Sequence, residues 1–286
     1  MSRPLPPIPV ITAGTGSVTT GHGSGKTVVP ITTPIALPAA NALLLDNETN
    51  AVIAGGNFND RIYEQGTGAT ITLGNGNDEV FDTGGTATIT LGNGNDRVVV
   101  GGNGNIIVVG NGNDRIEAAG SGNRITVGNG NDVVAIGVKL CQGNVIPVTA
   151  DTINLGAGNA KLLLGGSGNT VNVGTGTAEI YAPGASNNVF ALNAAGGTLE
   201  VHGFRLTNGD VLDLTHILAG VSLAHDLSNL GNFIALTSAP DVDNPRCIDT
   251  TLTITGSAGV AVVTLDNSGK LTLAGLEKAS LLLPAH

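Results

Sequence analysis

Branched aliphatic residues recur every nine positions through the centre of the chain, between glycine-rich polar segments. From residue 57 to 137 the sixth position of each nine-residue block is always aliphatic: Ile62, Ile71, Val80, Ile89, Val98, Ile107, Ile116, Ile125 and Val134. Alternation along a strand sends positions six and eight of a block inward and positions five and seven outward. Strands this short are unstable alone, so the pattern predicts stacked copies that bury a shared interior.

The aspartates follow a longer period, because they occur only in every second block. Each lies 18 residues after the last: Asp60, Asp78, Asp96, Asp114 and Asp132. Two blocks therefore form one coil, and consecutive coils stack about 4.8 Å apart through parallel backbone hydrogen bonds. The pattern predicts an all-β fold, a parallel β-roll or β-solenoid with 18-residue coils, with the aspartates in a row along one edge.

The periodic region defines three predicted segments. Residues 1–38 are rich in Pro, Thr and Gly and are expected to form an extended or disordered N-terminal arm. Their apolar stretches leave open a second interpretation, in which the arm caps the first coil or docks on another subunit. Residues 39–199 form the predicted roll, and residues 200–286, where the period stops, form a small, mainly-β C-terminal module.

Two irregularities interrupt the frame. The segment VKLCQGNVIP is ten residues long, one more than the period, and VTADTINLG then restores the frame with Asp151 as a shifted sixth aspartate. Asn169 and Asn187 occupy the aspartate position in later coils. Glu64 and Asp82 fall at inward eighth positions, so their strands are expected to end early or turn outward there.

Bulk composition narrows the possible partners. The formal net charge of −10 argues against a nucleic-acid partner and favours cations. No run of 18 apolar residues is present, so no membrane span is expected. The N-terminal MSRPLPPIPV is unlike a secretory signal peptide. Cys141 and Cys247 are the only cysteines, and whether they pair stays open.

The repeats LGNGNDEVF, LGNGNDRVV and GNGNDRIEA resemble the RTX nonapeptide, G-G-x-G-x-D-x-U-x, of calcium-binding parallel β-rolls. The resemblance implies that Ca²⁺ is bound by Asp60, Asp78, Asp96, Asp114, Asp132 and Asp151. Electrostatic repulsion also favours bound cations, because carboxylates one coil apart repel by roughly 3 to 4 kcal/mol at an effective dielectric constant of about 20. Ca²⁺ tolerates irregular oxygen ligation better than Mg²⁺ does. The alternative is that the aspartates only cap turns.

The other edge of the predicted roll lacks aspartate in the regular repeats. Its matching positions are Ala69, Ala87, Asn105 and Asn123. Alanine offers no ligand, so calcium is expected along one edge only, with backbone pairing and Asn or Thr ladders on the other. Folding is then expected to depend on calcium.

The C-terminal pattern F-x-x-x-N-G-D-V-L-D-L, residues 204–214, resembles the target region of type I secretion substrates. The resemblance implies export by type I secretion machinery, without an N-terminal signal, to the cell surface or outside. No H-E-x-x-H, G-x-S-x-G or P-loop motif is present, so no enzymatic activity is expected. The sequence favours a self-associating homopolymer: a filament, surface-layer or matrix subunit. The alternative is a monomeric calcium-dependent adhesin-like or ice-binding module.

Overall fold

The computed structural model describes residues 35–137, 148–193, 196–223, 227–241, 247–257, 259–266, 271–279 and 281–283, and the backbone of strands within 10–30. The chain forms two compact units, Met1–Ile125 and Thr126–His286, and each is described by itself. Both are built from short parallel strands whose side chains alternate between a buried and an outward position. The predicted all-β parallel β-solenoid with 18-residue coils is confirmed.

The first unit consists of strands of two to six residues. They are β1 (Val10–Gly14), β2 (Ser17–His22), β3 (Gly25–Pro30), β4 (Ile35–Ala36), β5 (Leu43–Asp46), β6 (Val52–Ala54), β7 (Arg61–Glu64), β8 (Thr70–Thr72), β9 (Glu79–Asp82), β10 (Thr88–Thr90), β11 (Arg97–Val100), β12 (Ile106–Val108) and β13 (Arg115–Ala118), with β14 (Arg124–Thr126) at the boundary. Odd-numbered strands from β5 to β13 form one parallel sheet, and even-numbered strands form the other.

The core of the first unit is a column of aliphatic side chains between its two sheets. Ile62 pairs with Val80, and Val80 pairs with Val98, each partner 18 residues further along the chain. On the other sheet Ile71 pairs with Ile89. All of these side chains are fully buried. Because one aliphatic layer follows another in strict register, the coil geometry fixes which residues share an edge.

The glycine-rich turns allow consecutive coils to touch. Gly85 has a φ of 84° and Gly102 a φ of 71°, in the left-handed region that favours glycine. A Cβ on Gly102 would lie 2.8 Å from the Cα of Gly85, one coil earlier. The glycines are therefore required both by turn conformation and by the close stacking of turns.

The N-terminal segment contributes strands to the first unit. β1 pairs in parallel with β5 and in antiparallel fashion with β2, and β2 pairs in antiparallel fashion with β3. β3 ends the sheet at this side. Strands β1, β2 and β3 thus extend the first sheet, while the predicted segment boundaries and the interpretation of the arm as a cap or a docking segment stay predictions.

The second unit contains the remaining strands. They are β15 (Asn131–Ile136), β16 (Thr152–Asn154), β17 (Asn159–Leu164), β18 (Thr170–Val173), β19 (Thr177–Tyr181), β20 (Val189–Leu192), β21 (Thr198–His202), β22 (Val211–Asp213), β23 (Ile234–Pro240), β24 (Ile248–Gly256), β25 (Gly259–Asp266) and β26 (Leu281–Leu282). β15 pairs in parallel with β17, β17 with β19 and β19 with β21. The second sheet runs β16, β18, β20, β22 and β26, also in parallel.

One coil of the second unit is ten residues longer than the others. Asn131 pairs with Asn159, a separation of 28 residues instead of 18. The Nδ2 of Asn154 likewise donates to Thr126 Oγ1, 28 residues away. The expectation that VTADTINLG restores the frame after a one-residue slip is therefore wrong. This coil contains ten more residues than the regular 18.

The C-terminal part adds a mixed sheet. β25 lies parallel to β21 and antiparallel to β24, and β24 lies antiparallel to β23. Phe190 and Phe204 fill the interior of this unit with ring centroids 6.1 Å apart, and both are fully buried.

Helix is scarce in the described ranges. It amounts to α1 (Leu273–Ala279) and the short 3-10 helices Leu206–Asn208 and Leu230–Asn232. Within the described part of the chain, no helix has the length and apolar character needed to traverse a bilayer.

Candidate metal centre

The predicted aspartates of the first unit line one inner edge of the roll. Four of them form what we call the aspartate row: Asp60, Asp78, Asp96 and Asp114. Each stands directly before a strand of the first sheet, after a G-N-G-N or related turn, and points inward. Their side chains are only 1–2% exposed. The structure therefore brings these residues together at the spacing that the sequence predicts.

Each carboxylate of the row caps the backbone of the preceding coil. The N–H of Ala42 donates to Asp60 Oδ1 at 2.8 Å, and the N–H of Asp60 donates to Asp78 Oδ1 at 2.8 Å. The N–H of Asp78 donates to Asp96 Oδ1 at 2.9 Å, and that of Asp96 to Asp114 Oδ1 at 2.8 Å. One oxygen of every carboxylate is thus committed to holding two coils in register.

The second carboxylate oxygens are in a different situation. The Oδ2 atoms of Asp60, Asp78 and Asp96 are buried and have no hydrogen-bond partner among the residues that the structure describes. Leaving a buried charged oxygen unpaired is unfavourable by at least about 1–3 kcal/mol. A groove of about 400 Å³ runs along this edge, and Asp60 and Asp78 contribute to its lining. Unpaired hard oxygen atoms beside an accessible groove fit a divalent cation.

Burial also changes the acidity of the row. Removal from water raises the pKa of Asp60 to about 6, partly opposed by the hydrogen bond from Ala42. Removal from water raises the pKa of Asp78 to about 7, and repulsion from Asp96 and Asp60 adds to that rise. The pKa of Asp96 is raised for the same main reason. Without a cation, these groups therefore keep their protons up to a higher pH than an exposed aspartate does.

Two outer ladders of asparagine fix the turns that carry the row. The N–H of Asn75 donates to Asn57 Oδ1 at 2.9 Å, and the N–H of Asn93 donates to Asn75 Oδ1 at 2.9 Å. A parallel ladder joins the N–H of Asn95 to Asn77 Oδ1 at 2.7 Å. The two asparagines of each N-G-N-D turn thus hold the exposed backbone, while the aspartate faces inward.

A third ladder lies on the opposite edge of the first unit. We call Asn105 and Asn123 the asparagine row. The N–H of Ala87 donates to Asn105 Oδ1 at 2.9 Å, and the N–H of Asn105 donates to Asn123 Oδ1 at 3.0 Å. The Asn105 Nδ2 also donates to the Gly101 carbonyl oxygen at 3.0 Å. The expected asparagine ladder on this edge is confirmed.

The second unit places its two predicted aspartates on different sheets. Asp132 lies in β15 and pairs with Ala160 of β17, so the row of carboxylates is replaced by alanine in the next coil. The N–H of Asp151 donates to Asn169 Oδ1 at 3.0 Å, and Thr152 pairs with Thr170 on the other sheet. The prediction that Asp151 continues the row of Asp132 is wrong, because the insertion is ten residues long. Whether Asp151 binds metal stays a prediction.

The later members of the Asp151 ladder also differ from expectation. The N–H of Asn169 donates to Asn188 Oδ1 at 3.0 Å, so Asn188 takes the ladder position predicted for Asn187. The N–H of Asn188 donates in turn to Asp210 Oδ1 at 3.1 Å. Burial raises the pKa of Asp210. Asp210 belongs to the N-G-D motif, which could have identified it as a ladder residue.

A second set of buried acids lies at the ends of β5, β7 and β9. We call Asp46, Glu64 and Asp82 the acidic stack. They are 1–3% exposed and remain within their strands. The expectation that Glu64 and Asp82 end their strands early or turn outward is wrong. Their spacing of 18 residues is the signal that could have found the stack.

A further acidic group arises in the C-terminal sheet. One carboxylate oxygen from each of Asp241, Asp249 and Asp266 lies within 4.8 Å of the others. Asp266 also contacts the imidazole of His202. These residues follow or belong to β23, β24 and β25, and no sequence period connects them. Only the antiparallel pairing of the three strands brings them together.

Two aromatic side chains stack on the outward face of the first sheet. Tyr63 and Phe81 stack with ring centroids 4.9 Å apart and planes inclined by 7°. The Arg97 guanidinium lies 4.7 Å from the centre of the Phe81 ring. Cys141 lies outside the described residues. Whether it pairs with Cys247 therefore stays open.

Comparisons with models of protein families, with curated proteins and with solved structures found no match to this chain. The arguments about its function therefore come from its own residues.

Proposed function

We propose that this chain is a secreted, non-enzymatic calcium-binding protein of RTX type that folds on calcium and assembles into an extracellular filament, surface layer or matrix. Asp60, Asp78, Asp96, Asp114 and Asp132 are its proposed calcium ligands, with Asp151 as a separate candidate on the other sheet. Calcium would supply the positive charge that the inner edge of the roll lacks.

The observation that carries the proposal is the second carboxylate oxygen of Asp60, Asp78 and Asp96 in the aspartate row. Oδ1 performs the turn-capping bond, as the alternative of structural aspartates requires. Oδ2 of Asp60, Asp78 and Asp96 has no hydrogen-bond partner within the described ranges, although it is buried. Turn capping needs only one acceptor oxygen, so it does not explain why the side chain is a carboxylate. A bound cation would use the remaining oxygen.

The spacing of the coils favours calcium over magnesium. Equivalent oxygens on successive coils are about 4.8 Å apart. An ion shared between them has bonds of about 2.4 Å, which suits Ca²⁺ at about 2.3–2.6 Å and is long for Mg²⁺ at about 2.0–2.1 Å. Ca²⁺ also accepts the irregular coordination that a turn edge offers.

The outward faces of the first unit support self-association. The second sheet exposes Val52, Ile106 and Val108, of which Ile106 is 44% exposed. Sheet edges with unpaired backbone groups, such as β3 in the first unit, are natural sites for pairing with another chain. Contacts at such an edge repeat head to tail and lead to filaments when they do not close into a ring.

Calcium-dependent folding is also compatible with the proposed export. A chain whose stability depends on calcium unfolds more readily where calcium is scarce, and an unfolded chain is the form that passes a narrow secretion channel. Residues 204–214 carry the resemblance to a type I secretion target region. Localisation at the cell surface or outside the cell is therefore part of the proposal.

The test measures folding and assembly in the same preparation. Circular dichroism of the full chain should show strand signal in calcium, and chelator should greatly lower the temperature at which that signal is lost. Electron microscopy after calcium addition should show filaments or ordered sheets. An unfolding temperature that chelator does not change contradicts calcium-dependent folding, and monodisperse particles in calcium contradict assembly.

One observation favours the alternative of a monomeric ice-binding or adhesin-like module. Thr70 pairs with Thr88, and Thr72 pairs with Thr90, so four threonines form a regular outward array. The array is limited to two coils, because Ile106 and Val108 occupy the same positions in the next coil. Monodisperse particles that inhibit ice growth would favour this alternative.

A further inference from the structure

The acidic stack occupies the edge of the first unit where the sequence predicts no metal. Asp46 pairs with Glu64, and Glu64 pairs with Asp82, so the three side chains lie one above the other on successive coils. All three are buried, with Glu64 and Asp82 only 1% exposed. Buried carboxylates need hydrogen bonds, a counter-ion or protons.

Each member of the stack uses one oxygen to cap its own turn. The N–H of Glu48 donates to Asp46 Oδ1 at 3.1 Å, that of Gly66 to Glu64 Oε1 at 2.6 Å, and that of Gly84 to Asp82 Oδ1 at 2.6 Å. The other oxygen of each residue, Asp46 Oδ2, Glu64 Oε2 and Asp82 Oδ2, has no hydrogen-bond partner among the described residues. The unpaired oxygens thus follow one another along the stack.

Nearby cations do not neutralise the stack. Arg61 lies on β7 with Glu64, and Arg97 lies on β11, the strand next to β9. Both point outward and form ion pairs with Glu79. The ion pairs found in the described part of the chain do not include a member of the stack. Repulsion among the three carboxylates is therefore not relieved by these ion pairs. Burial, and after it repulsion from Asp46 and Asp82, raises the pKa of Glu64 to about 8.

The next coils show that the roll does not need an acid at this position. Val100 pairs with Asp82 and occupies the following step of the same column, and Ala118 follows Val100. Both apolar residues are buried there. A structural side chain at this point can therefore be aliphatic, so the acids of the first three coils need another explanation.

Backbone oxygen atoms lie at the same corner. A Cβ on Gly66 would lie 2.0 Å from the Glu48 carbonyl oxygen and 2.9 Å from Glu64 Oε1. A Cβ on Gly84 would lie 1.7 Å from the Gly66 carbonyl oxygen. The absence of side chains at these glycines keeps carboxylate and carbonyl oxygens close together, a set of hard donors that suits Ca²⁺.

We propose that Asp46, Glu64 and Asp82 form a second divalent-cation site, which binds calcium between the first coils on the edge opposite the aspartate row. Glu64 is the central ligand, because it has an acidic neighbour on the coil at either side. The site joins the first three coils of the roll independently of the aspartate row.

The test removes the aspartate row first. In the row variant, the four members of the aspartate row and Asp132, the remaining aspartate of the regular repeats, are all changed to Asn in the full chain. Asn105 shows that asparagine is compatible with a ladder position. Calcium alone is titrated into this variant by calorimetry near neutral pH. We expect the row variant to retain calcium binding, and Glu64→Gln in that background to weaken it by about tenfold or more, since affinity depends on the charge of the ligands.

The control is Glu200→Gln in the same background, which removes an equal charge from an outward side chain and should leave binding unchanged. Absence of calcium binding in the row variant, or equal binding with and without Glu64→Gln, overturns the proposal. If Glu64→Gln loses the strand signal, Asp82→Asn replaces it and should weaken binding in the same way; equal binding there also overturns the proposal. If the aspartate row does not bind calcium but the acidic stack does, wild type and row variant bind calcium alike. That outcome distinguishes failure of the proposed calcium ligands in the row from failure of the second site.

Discussion

The aspartate row and the asparagine row of the first unit make the same backbone hydrogen bond with different chemistry. Asp78 Oδ1 accepts from the Asp60 N–H at 2.8 Å, and Asn105 Oδ1 accepts from the Ala87 N–H at 2.9 Å. The asparagine then uses its Nδ2 to donate to Gly101 and to Asn123. Asp78 instead has a buried Oδ2 without a hydrogen-bond partner among the described residues.

An asparagine is therefore better than an aspartate at a position that only has to hold two coils in register. It satisfies every polar atom and carries no charge, whereas the carboxylate leaves one oxygen unsatisfied and repels its neighbours. A row of aspartates at this place is therefore explained by a partner that only a carboxylate can bind. The predictions below test that difference, beginning with the largest expected effect.

The row variant should separate the two functions of the carboxylate. In chelator it should be at least as stable as wild type, because asparagine keeps the Oδ1 bond and loses the repulsion. In calcium it should lack the stabilisation that wild type gains from the row, about 2.7 kcal/mol per site when free calcium is 100-fold above Kd. Thermal unfolding in both buffers measures this.

The matched control for that experiment removes charge from the outer faces. Glu117→Gln, Glu179→Gln and Glu200→Gln together should leave the calcium-dependent shift in melting temperature intact. A row variant that retains the full wild-type shift would show that the aspartates do not bind the ion.

The pH dependence of stability should also distinguish the rows. Burial raises the pKa of Asp60 to about 6 and that of Asp78 to about 7 in the folded chain, from 3.8. The folded protein then binds more protons than the unfolded chain, so in chelator stability should fall as pH rises from 3.8 through about 7. Melting temperatures of wild type and row variant across this range measure the difference. A fall of equal size in both would assign it to other groups.

Single substitutions at Asp78 should separate the contribution of its hydrogen bond to stability from that of its charge. Asp78→Ala leaves the buried N–H of Asp60 without its acceptor, and should destabilise the chain by about 1–3 kcal/mol in calcium and in chelator. Asp78→Asn should be close to neutral in chelator and destabilising only in calcium. Urea unfolding of both variants checks this, and equal losses in chelator would mean that asparagine does not replace the bond.

The smallest effect is expected in the exposed turn ladder. Asn75→Ala removes an acceptor for the Asn93 N–H, which water can replace, so a loss of about 0.5–1.5 kcal/mol is expected. The loss should be the same in calcium and chelator, because this ladder carries no charge. A calcium-dependent loss at Asn75 would place the ion in the outer turn.

Much of the first unit could be predicted from sequence because its period is strict. The aliphatic position six fixed the column from Ile62 to Ile116, and the 18-residue period fixed the aspartate row. The sequence placed Asp151 wrongly, because its short motif looks the same after a ten-residue insertion as after a one-residue slip. The 28-residue separation of the paired Asn131 and Asn159 distinguishes the two cases.

The acidic stack was missed for a different reason. The general rule that ionised carboxylates avoid the interior led to the expectation that Glu64 and Asp82 face outward. Their register with Asp46 shows instead that the alternation of the strands holds, and that the acids stay inside. The cluster of Asp241, Asp249 and Asp266 depends on antiparallel pairing between distant segments, which no local pattern specifies.

The most direct test of the central claim is anomalous diffraction from crystals of the full chain grown with calcium. We expect anomalous density between successive carboxylates of Asp60, Asp78 and Asp96, and none beside Asn105 and Asn123. Aspartates without such density, in crystals containing calcium, would contradict it and leave the row as a set of protonated turn caps.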